Sequence, residues 1–280
     1  MARTAVEGFV SGLHRSFYHG FGSEFFQYRS YVPGDDLKYV DWKVYSRHNR
    51  FYTKLFEEQT NMDISLVLDN SASMDYKGSS APCPKWKYAA MIAAALAYLA
   101  KRQGDNFGLY IYNDKLREGV AASNRVGHFQ RVLAALMRSK PSGQAKHEVA
   151  FDYLFRSLRR RGIVVLISDM LESRDTLPPL LKRMQTAGCE CLAVQVLDSD
   201  ELTLPFEKTT QFIGLEDGVR ILTNPASIRA DYIQAMEAYQ SQLKLAIINA
   251  EVGYLQCVSS ESLGNSLAAY LHQRESMKGR

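Results

Sequence analysis

The sequence predicts an α/β fold, a mostly parallel sheet with helices on both faces and one antiparallel edge strand. Three observations predict it. The runs Ile64-Ser65-Leu66-Val67-Leu68 and Ile163-Val164-Val165-Leu166-Ile167 are near-continuously apolar, as strands buried on both faces are. Segments of helical length and periodicity alternate with such runs, the order expected of parallel strands joined by helical crossovers. Asn113-Asp114 separates two short alternating runs, the signature of a hairpin and hence of one antiparallel edge strand.

The elements follow in order. A strand over 64–68 leads to a helix over 85–101, strands over 107–112 and 116–121, and helices over 128–138 and 148–159. A strand over 163–167, a helix over 176–187, strands over 191–197 and 209–213, a helix over 225–250, a strand over 253–258 and a helix over 262–274 complete the chain. The Ala-rich stretch from Tyr88 to Ala100 is started near Pro84 and stopped at Gly104. It is shorter than the roughly 18–20 apolar residues that span a bilayer, so it reads as a buried helix. No internal repeat, low-complexity tract or Pro/Ser-rich linker is present. Residues 61–280 are therefore the main domain, and residues 1–60 an appended N-terminal segment packed on it.

Composition narrows the function classes. The 280 residues are 46% hydrophobic and 23% charged, ordinary for a globular protein with a substantial core. A net charge of +4 with interspersed signs argues little for nucleic acid. The densest basic cluster, Arg156 with Arg159, Arg160 and Arg161, reads as a solvated helix end. Cys83, Cys189, Cys191 and Cys257 are too scattered for a disulfide framework or a four-ligand zinc site and fit a reducing compartment. The start Met1-Ala2-Arg3-Thr4-Ala5-Val6-Glu7 lacks an apolar signal core. A cytoplasmic location without a membrane span is the expectation.

The first strand ends in Asp69-Asn70-Ser71-Ala72-Ser73. One carboxylate and two hydroxyls at i, i+2 and i+4 suit a hard cation such as Mg²⁺ or Mn²⁺, which prefers oxygen ligands. Equally, Ser71 and Ser73 can cap the next helix or fold the loop locally. The second apolar strand is followed by Ser168-Asp169, so two strands aim a carboxylate at one crevice. Together these segments resemble the metal-ion-dependent adhesion site of von Willebrand factor A domains, and Asp69, Ser71, Ser73 and Asp169 match its metal ligands. The Thr of that site's second loop belongs within residues 139–147, where Ala145 stands at its position. Either Ser142 substitutes, or the cation is weak or absent and Lys146 supplies a positive charge in its place.

The block from Arg29 through Tyr31-Val32-Pro33-Gly34-Asp35-Asp36 and Asp41-Trp42-Lys43 to Arg47, followed by Phe56-Glu57-Glu58, resembles the bacterial family called domain of unknown function 58. Gln59 departs from its pattern, standing where a Glu is expected, as does Lys38 or Tyr39, where an Arg is expected. The resemblance implies this block joined to a von Willebrand A-like domain, and a protein partner such as a MoxR-type AAA+ ATPase or its client. From the residues alone, Pro33-Gly34 sets a turn, and Asp35 and Asp36 serve backbone hydrogen bonding rather than catalysis. Trp42 is expected to be buried, flanked by Asp41 and Arg47 as a pair.

Enzyme motifs are missing: there is no nucleophile elbow and no phosphate-cradling loop. His147-Glu148 starts like a zinc-protease motif, but Phe151 occupies the place of the second His. No catalytic residue and no enzyme activity are expected. A protein-interaction module with an adhesion-type site comes first, then a metal-free scaffold that docks partners through the N-terminal block, and last a metal-assisted hydrolase.

Overall fold

The computed structural model describes residues 24–32, 40–48, 50–57, 62–157, 162–171, 173–262 and 264. The expected turn at Pro33-Gly34 with Asp35 and Asp36, the cluster Arg159 to Arg161 and the helix over 262–274 lie outside them, the last but for residues 262 and 264. The described residues fall into two compact units that separate between Asn61 and Met62.

In the N-terminal unit, β1 (Glu24–Ser30) pairs antiparallel with β2 (Tyr52–Glu57), with an irregularity between Phe25 and Gln27. Between them lies the short helix α1 (Trp42–His48). Asp41 caps it: Oδ1 accepts from the amides of Lys43 at 2.9 Å and Val44 at 3.1 Å, while Oδ2 accepts from the Tyr28 hydroxyl at 2.8 Å. The expected burial of Trp42 is corrected here. Its side chain is 56% exposed, set edge-on to Tyr45 and Phe51, and those two rings stack with centroids 4.2 Å apart. Asp41 thus caps the helix and ties it to β1 through Tyr28.

The larger unit is built on a six-stranded sheet. In chain order its elements are β3 (Asp63–Asp69), a 3-10 turn (Ala72–Asp75), α2 (Lys85–Gln103), β4 (Asn106–Tyr112), β5 (Leu116–Ser123), α3 (His128–Arg138), α4 (His147–Ser157) and β6 (Gly162–Ser168). There follow α5 (Leu177–Thr186), β7 (Glu190–Leu197), α6 (Ser199–Thr203), a hairpin of β8 (Thr210–Ile213) and β9 (Arg220–Thr223), α7 (Pro225–Asn249) and β10 (Gly253–Val258). The strand order is β10-β7-β6-β3-β4-β5. Every neighbouring pair is parallel except β4 with the edge strand β5.

Alternation of side chains along a strand feeds two cores. Val67, Tyr110, Tyr112, Val164, Leu166 and Ala193 pack with Phe151 and Leu154 of α4, Leu177 and Leu181 of α5, and Leu243 and Ile247 of α7. The opposite parity, with Leu66, Leu68, Leu109, Ile111 and Val165, is equally buried, and α2 packs against β3, β4, β6 and β7. Helix α2 forms because its sequence is rich in Ala, the strongest helix former. It begins after Pro84 and closes at Gly104, whose φ of 79° lets its amide reach the carbonyls of Ala100 and Lys101. Its buried stripe of Trp86, Ala89, Ile92, Ala93, Leu96, Ala97 and Ala100 has the helical spacing. Among the described residues, no helix is long and apolar enough to cross a membrane.

The α/β architecture is the expected one, a mostly parallel sheet with helices on both faces and a single antiparallel edge. The sequence missed β1, α1 and β2 of the N-terminal unit and, in the larger unit, β9, the short α6 and the 3-10 turn. β9 is four residues long and α6 five, too short to show a period.

Candidate functional site

The sheet order makes β3 and β6 neighbours whose onward connections run to opposite sides, β3 toward β4 and β6 toward β7. The crevice at the carboxyl ends of two such strands is where open α/β sheets place their ligands. Asp69 is the last residue of β3 and Asp169 follows the last residue of β6. Both are buried, at 0% and 2% exposure.

The first loop folds on Asp69. Its Oδ1 accepts from the Ser71 amide at 2.8 Å, a local turn of the kind Asp favours, and its Oδ2 accepts from the Ser168 hydroxyl at 2.6 Å. Ser71 starts the 3-10 turn without a side-chain capping bond; its Oγ lies 3.0 Å from Ser73 Oγ. The second loop is laid along the first. Asn70 Nδ2 donates to Lys140 O, the Ser142 amide to Asn70 O and the Ala72 amide to Gly143 O, each at 2.9 Å. Ser142 is exposed, with its hydroxyl 3.5 Å from Asn113 Nδ2, and the Ala145 amide donates to Glu216 Oε2 at 3.4 Å.

The positive charge in the crevice comes from Lys85, not Lys146, which is exposed. Lys85 Nζ donates to Asp169 Oδ2 at 2.9 Å and to Glu201 Oε1 at 2.6 Å, and its side chain is fully buried. Glu201 is aligned by the capping box of α6, in which its Oε2 accepts from the Asp198 amide at 2.8 Å.

Electrostatics differentiates the two aspartates. Burial, then the Asp169 charge, push the Asp69 carboxyl up to about 7 against its hydrogen bonds from Ser168 and Ser71. Burial would push Asp169 up as well, but the Lys85 ammonium, with hydrogen bonds from Lys85 and Ser73, outweighs it and holds that carboxyl below the usual range. Burial opposes the charge on Lys85, yet Asp169 and Glu201 raise it above the ordinary lysine value. One buried ammonium thus stands between the carboxylate that follows β6 and one in the helix after β7.

Second contacts hold the Asp169 loop. Gln195 Nε2 donates to Asp169 O at 2.9 Å, and the Tyr239 hydroxyl donates to Met170 O at 2.7 Å while accepting from the Ser173 amide at 2.9 Å. Met170 adopts a φ of 55°, uncommon for a residue with a Cβ. Tyr112, paired in register with Asp69, shares a hydrogen bond with His147 Nδ1 at 2.6 Å.

The four residues expected as metal ligands therefore do meet in one crevice, and their donor types suit Mg²⁺ or Mn²⁺. The charge balance does not. Asp169 is already paired with an ammonium, and a divalent ion sharing that carboxylate meets a repulsion on the order of several kcal/mol.

The sequence reading missed Lys85, Glu201 and Gln195. Each left a trace: a lysine in the first turn of a helix, where the dipole disfavours cations; an Asp198-Ser199-Asp200-Glu201 box; and one Gln in an otherwise apolar strand. Cys83, Cys189, Cys191 and Cys257 form no disulfide, and all but Cys83 are buried.

Known proteins agree with this architecture. An uncharacterized protein of Mycobacterium tuberculosis is 32% identical over 246 residues, covering 86% of this chain and 76% of that protein, and one of Mycobacterium bovis matches equally. The solved structure of the conserved hypothetical protein BatB from Bacteroides thetaiotaomicron has a TM-score of 0.51 at 14% identity, over 77% of this chain and 99% of that one. An aerotolerance-related membrane protein from Bacteroides fragilis has a TM-score of 0.52 at 15% identity, over 76% and 99%. At such identities these two structures share the fold. The family model described as protein of unknown function DUF58 matches residues 27–242, and the chain belongs to that family.

Proposed function

We propose that this chain is a non-enzymatic protein-interaction module that docks its partner at the carboxyl edge of the sheet, across the crevice of Asp69, Ser71, Ser73 and Asp169 and the β8–β9 hairpin beside it. The observation that carries the reading is the hairpin. Ile213, Leu215, Val219, Ile221 and Leu222 are each more than half exposed, the last at 70%. By the register, Ile213 and Leu222 share one face of the hairpin, Ile221 lies on the other, and Leu215 and Val219 are in its turn. Single exposed apolar residues are ordinary, but five within one ten-residue hairpin concentrate apolar surface of the sort that partners cover. The Glu216 carboxylate at its tip receives the Ala145 amide, so the hairpin adjoins the second loop of the crevice.

Among the described residues of the crevice, none is set up as a general base. The His147 imidazole is committed on both ring nitrogens, to Tyr112 and to the Ser173 hydroxyl at 2.7 Å, and burial pushes its pKa down to about 4. In the family context the partner is a MoxR-type AAA+ ATPase or a protein it remodels. A second reading, docking through the N-terminal block, is favoured by Trp42, Val32 and Phe51, exposed at 56%, 52% and 43%.

Capture of partners by the full chain, with and without chelator, tests these readings. Leu222→Glu should abolish capture with no loss of melting temperature. Undiminished capture by Leu222→Glu together with its loss in Trp42→Ala moves the docking site to the N-terminal block. Sensitivity to chelator assigns the contact to a Mg²⁺ or Mn²⁺ ion in the crevice.

A further inference from the structure

We propose that Lys85 is the resident cation of the crevice: its ammonium does the electrostatic work of the divalent ion in an Asp-x-Ser-x-Ser site. On this view the chain holds its carboxylates without metal, and removing the ammonium converts the same donors into a Mg²⁺ or Mn²⁺ site. The inference deepens the reading of Asp69, Ser71, Ser73 and Asp169 as one crevice.

The placement of Lys85 is unfavourable on every local count. It is the first residue of a 19-residue helix whose first turn carries no acidic residue, so the ammonium sits at the positive end of the macrodipole. Its side chain is completely buried, where lysine is almost never found unless paired. Its amide ties it to Tyr76 O at 3.0 Å, so the backbone anchors the side chain at this spot.

What offsets these costs is the pair of carboxylates. Asp169 follows β6 and Glu201 lies in α6 after β7, and both reach one ammonium at 2.9 and 2.6 Å. Lys85 belongs to the helix that follows β3. The ammonium thus joins the segments after three adjacent strands, β3, β6 and β7, as a metal ion bound across their loops does. Two of its three N–H donors are taken by these bonds. The ammonium is fully buried and already shared by two carboxylates, so an acidic side chain arriving at this edge finds no free positive charge to meet.

Mn²⁺ titration, read by the electron paramagnetic resonance of the free ion and by thermal melts, tests this on the full-length wild type, K85M and K85M/D169N. Met nearly matches the length of the lysine stem without its charge. Wild type should bind no Mn²⁺ up to millimolar concentration. K85M without metal should melt lower by roughly 10 °C, bind Mn²⁺ at micromolar concentration and regain the loss. K85M/D169N should recover much of the melting temperature without metal and bind none.

Mn²⁺ binding by wild type as tight as by K85M overturns the inference, as does a folded K85M that gains no site. Should K85M fold only with Mn²⁺ present, the inference stands; should it fail to fold even so and K85M/D169N fail as well, Lys85 serves packing rather than charge and the inference falls. None of these readouts involves a partner, so their failure leaves the docking reading intact, and loss of that reading leaves these melts unchanged.

Discussion

The Tyr112 hydroxyl and the His147 imidazole share a 2.6 Å hydrogen bond directly behind Asp69, and the direction of that bond is set one residue further on. Ser173 Oγ donates to Leu171 O at 3.1 Å, so it accepts from His147 Nε2, and Nδ1 is left to accept from Tyr112. His147 is thus a neutral imidazole with its proton on Nε2.

That assignment fixes a pH dependence. Burial lowers the His147 pKa from 6.5 to about 4. Between those values the unfolded chain binds a proton that the folded chain does not, so stability falls as pH drops from about 6.5 toward 4. Asp69 contributes the opposite slope. Its raised pKa means that the folded chain keeps a proton the unfolded chain releases above 3.8, so its contribution is lost as pH rises toward about 7. In denaturant titrations across this range, His147→Gln should remove the acid-side loss, up to about 3 kcal/mol at the low end. Asp69→Asn should remove the alkaline-side loss. Parallel pH profiles for wild type and His147→Gln would show that His147 titrates normally.

Tyr239→Phe deletes the hydroxyl that bridges Met170 O and the Ser173 amide. Half-buried polar groups that lose a partner cost about 1–3 kcal/mol. The denaturation midpoint should fall accordingly, and amide exchange should quicken first at Ser173, whose amide loses its acceptor. Exchange that quickens instead throughout α7, the helix carrying Tyr239, would assign the hydroxyl to the helix and not to the Asp169 loop.

Gly78→Ala should destabilise by roughly 1–3 kcal/mol, the usual cost of overpacking. The Gly78 amide donates to Asp198 Oδ2 at 2.9 Å, and an added Cβ runs into the carboxylates of Asp198 and Asp200. Asp198 cannot swing away freely, because it also accepts from Ser259 Oγ at 2.8 Å and from the Asp200 amide at 3.0 Å. Burial pushes its pKa up, but these hydrogen bonds outweigh it and hold the carboxyl below its usual range. Urea unfolding of Gly78→Ala beside wild type measures the cost; equal midpoints would mean that the loop yields.

Most of the sheet was legible because a strand buried on both faces must be apolar along its length, and a hairpin turn announces its antiparallel partner. The start of helix α2 at Pro84 and its stop at Gly104 were equally local. The same held for Asp69, Ser71, Ser73 and Asp169, since each lies at or just past the end of a recognisable strand. The positive charge was legible only in kind: the sequence reading offered Lys146, and the structure supplies Lys85. Trp42 failed for a similar reason, because whether an aromatic ring is covered depends on what packs over it and not on its own neighbours.

The sequence by itself determined the alternating elements, the two carboxylates at strand ends and the absence of known catalytic motifs, all of which are carried by residues close together in the chain. Only the tertiary structure decided which cation meets those carboxylates. Lys85 is separated from Asp169 by 84 positions and from Glu201 by 116, and the sheet order that brings their loops to one crevice is set by packing of both faces, which no local pattern encodes.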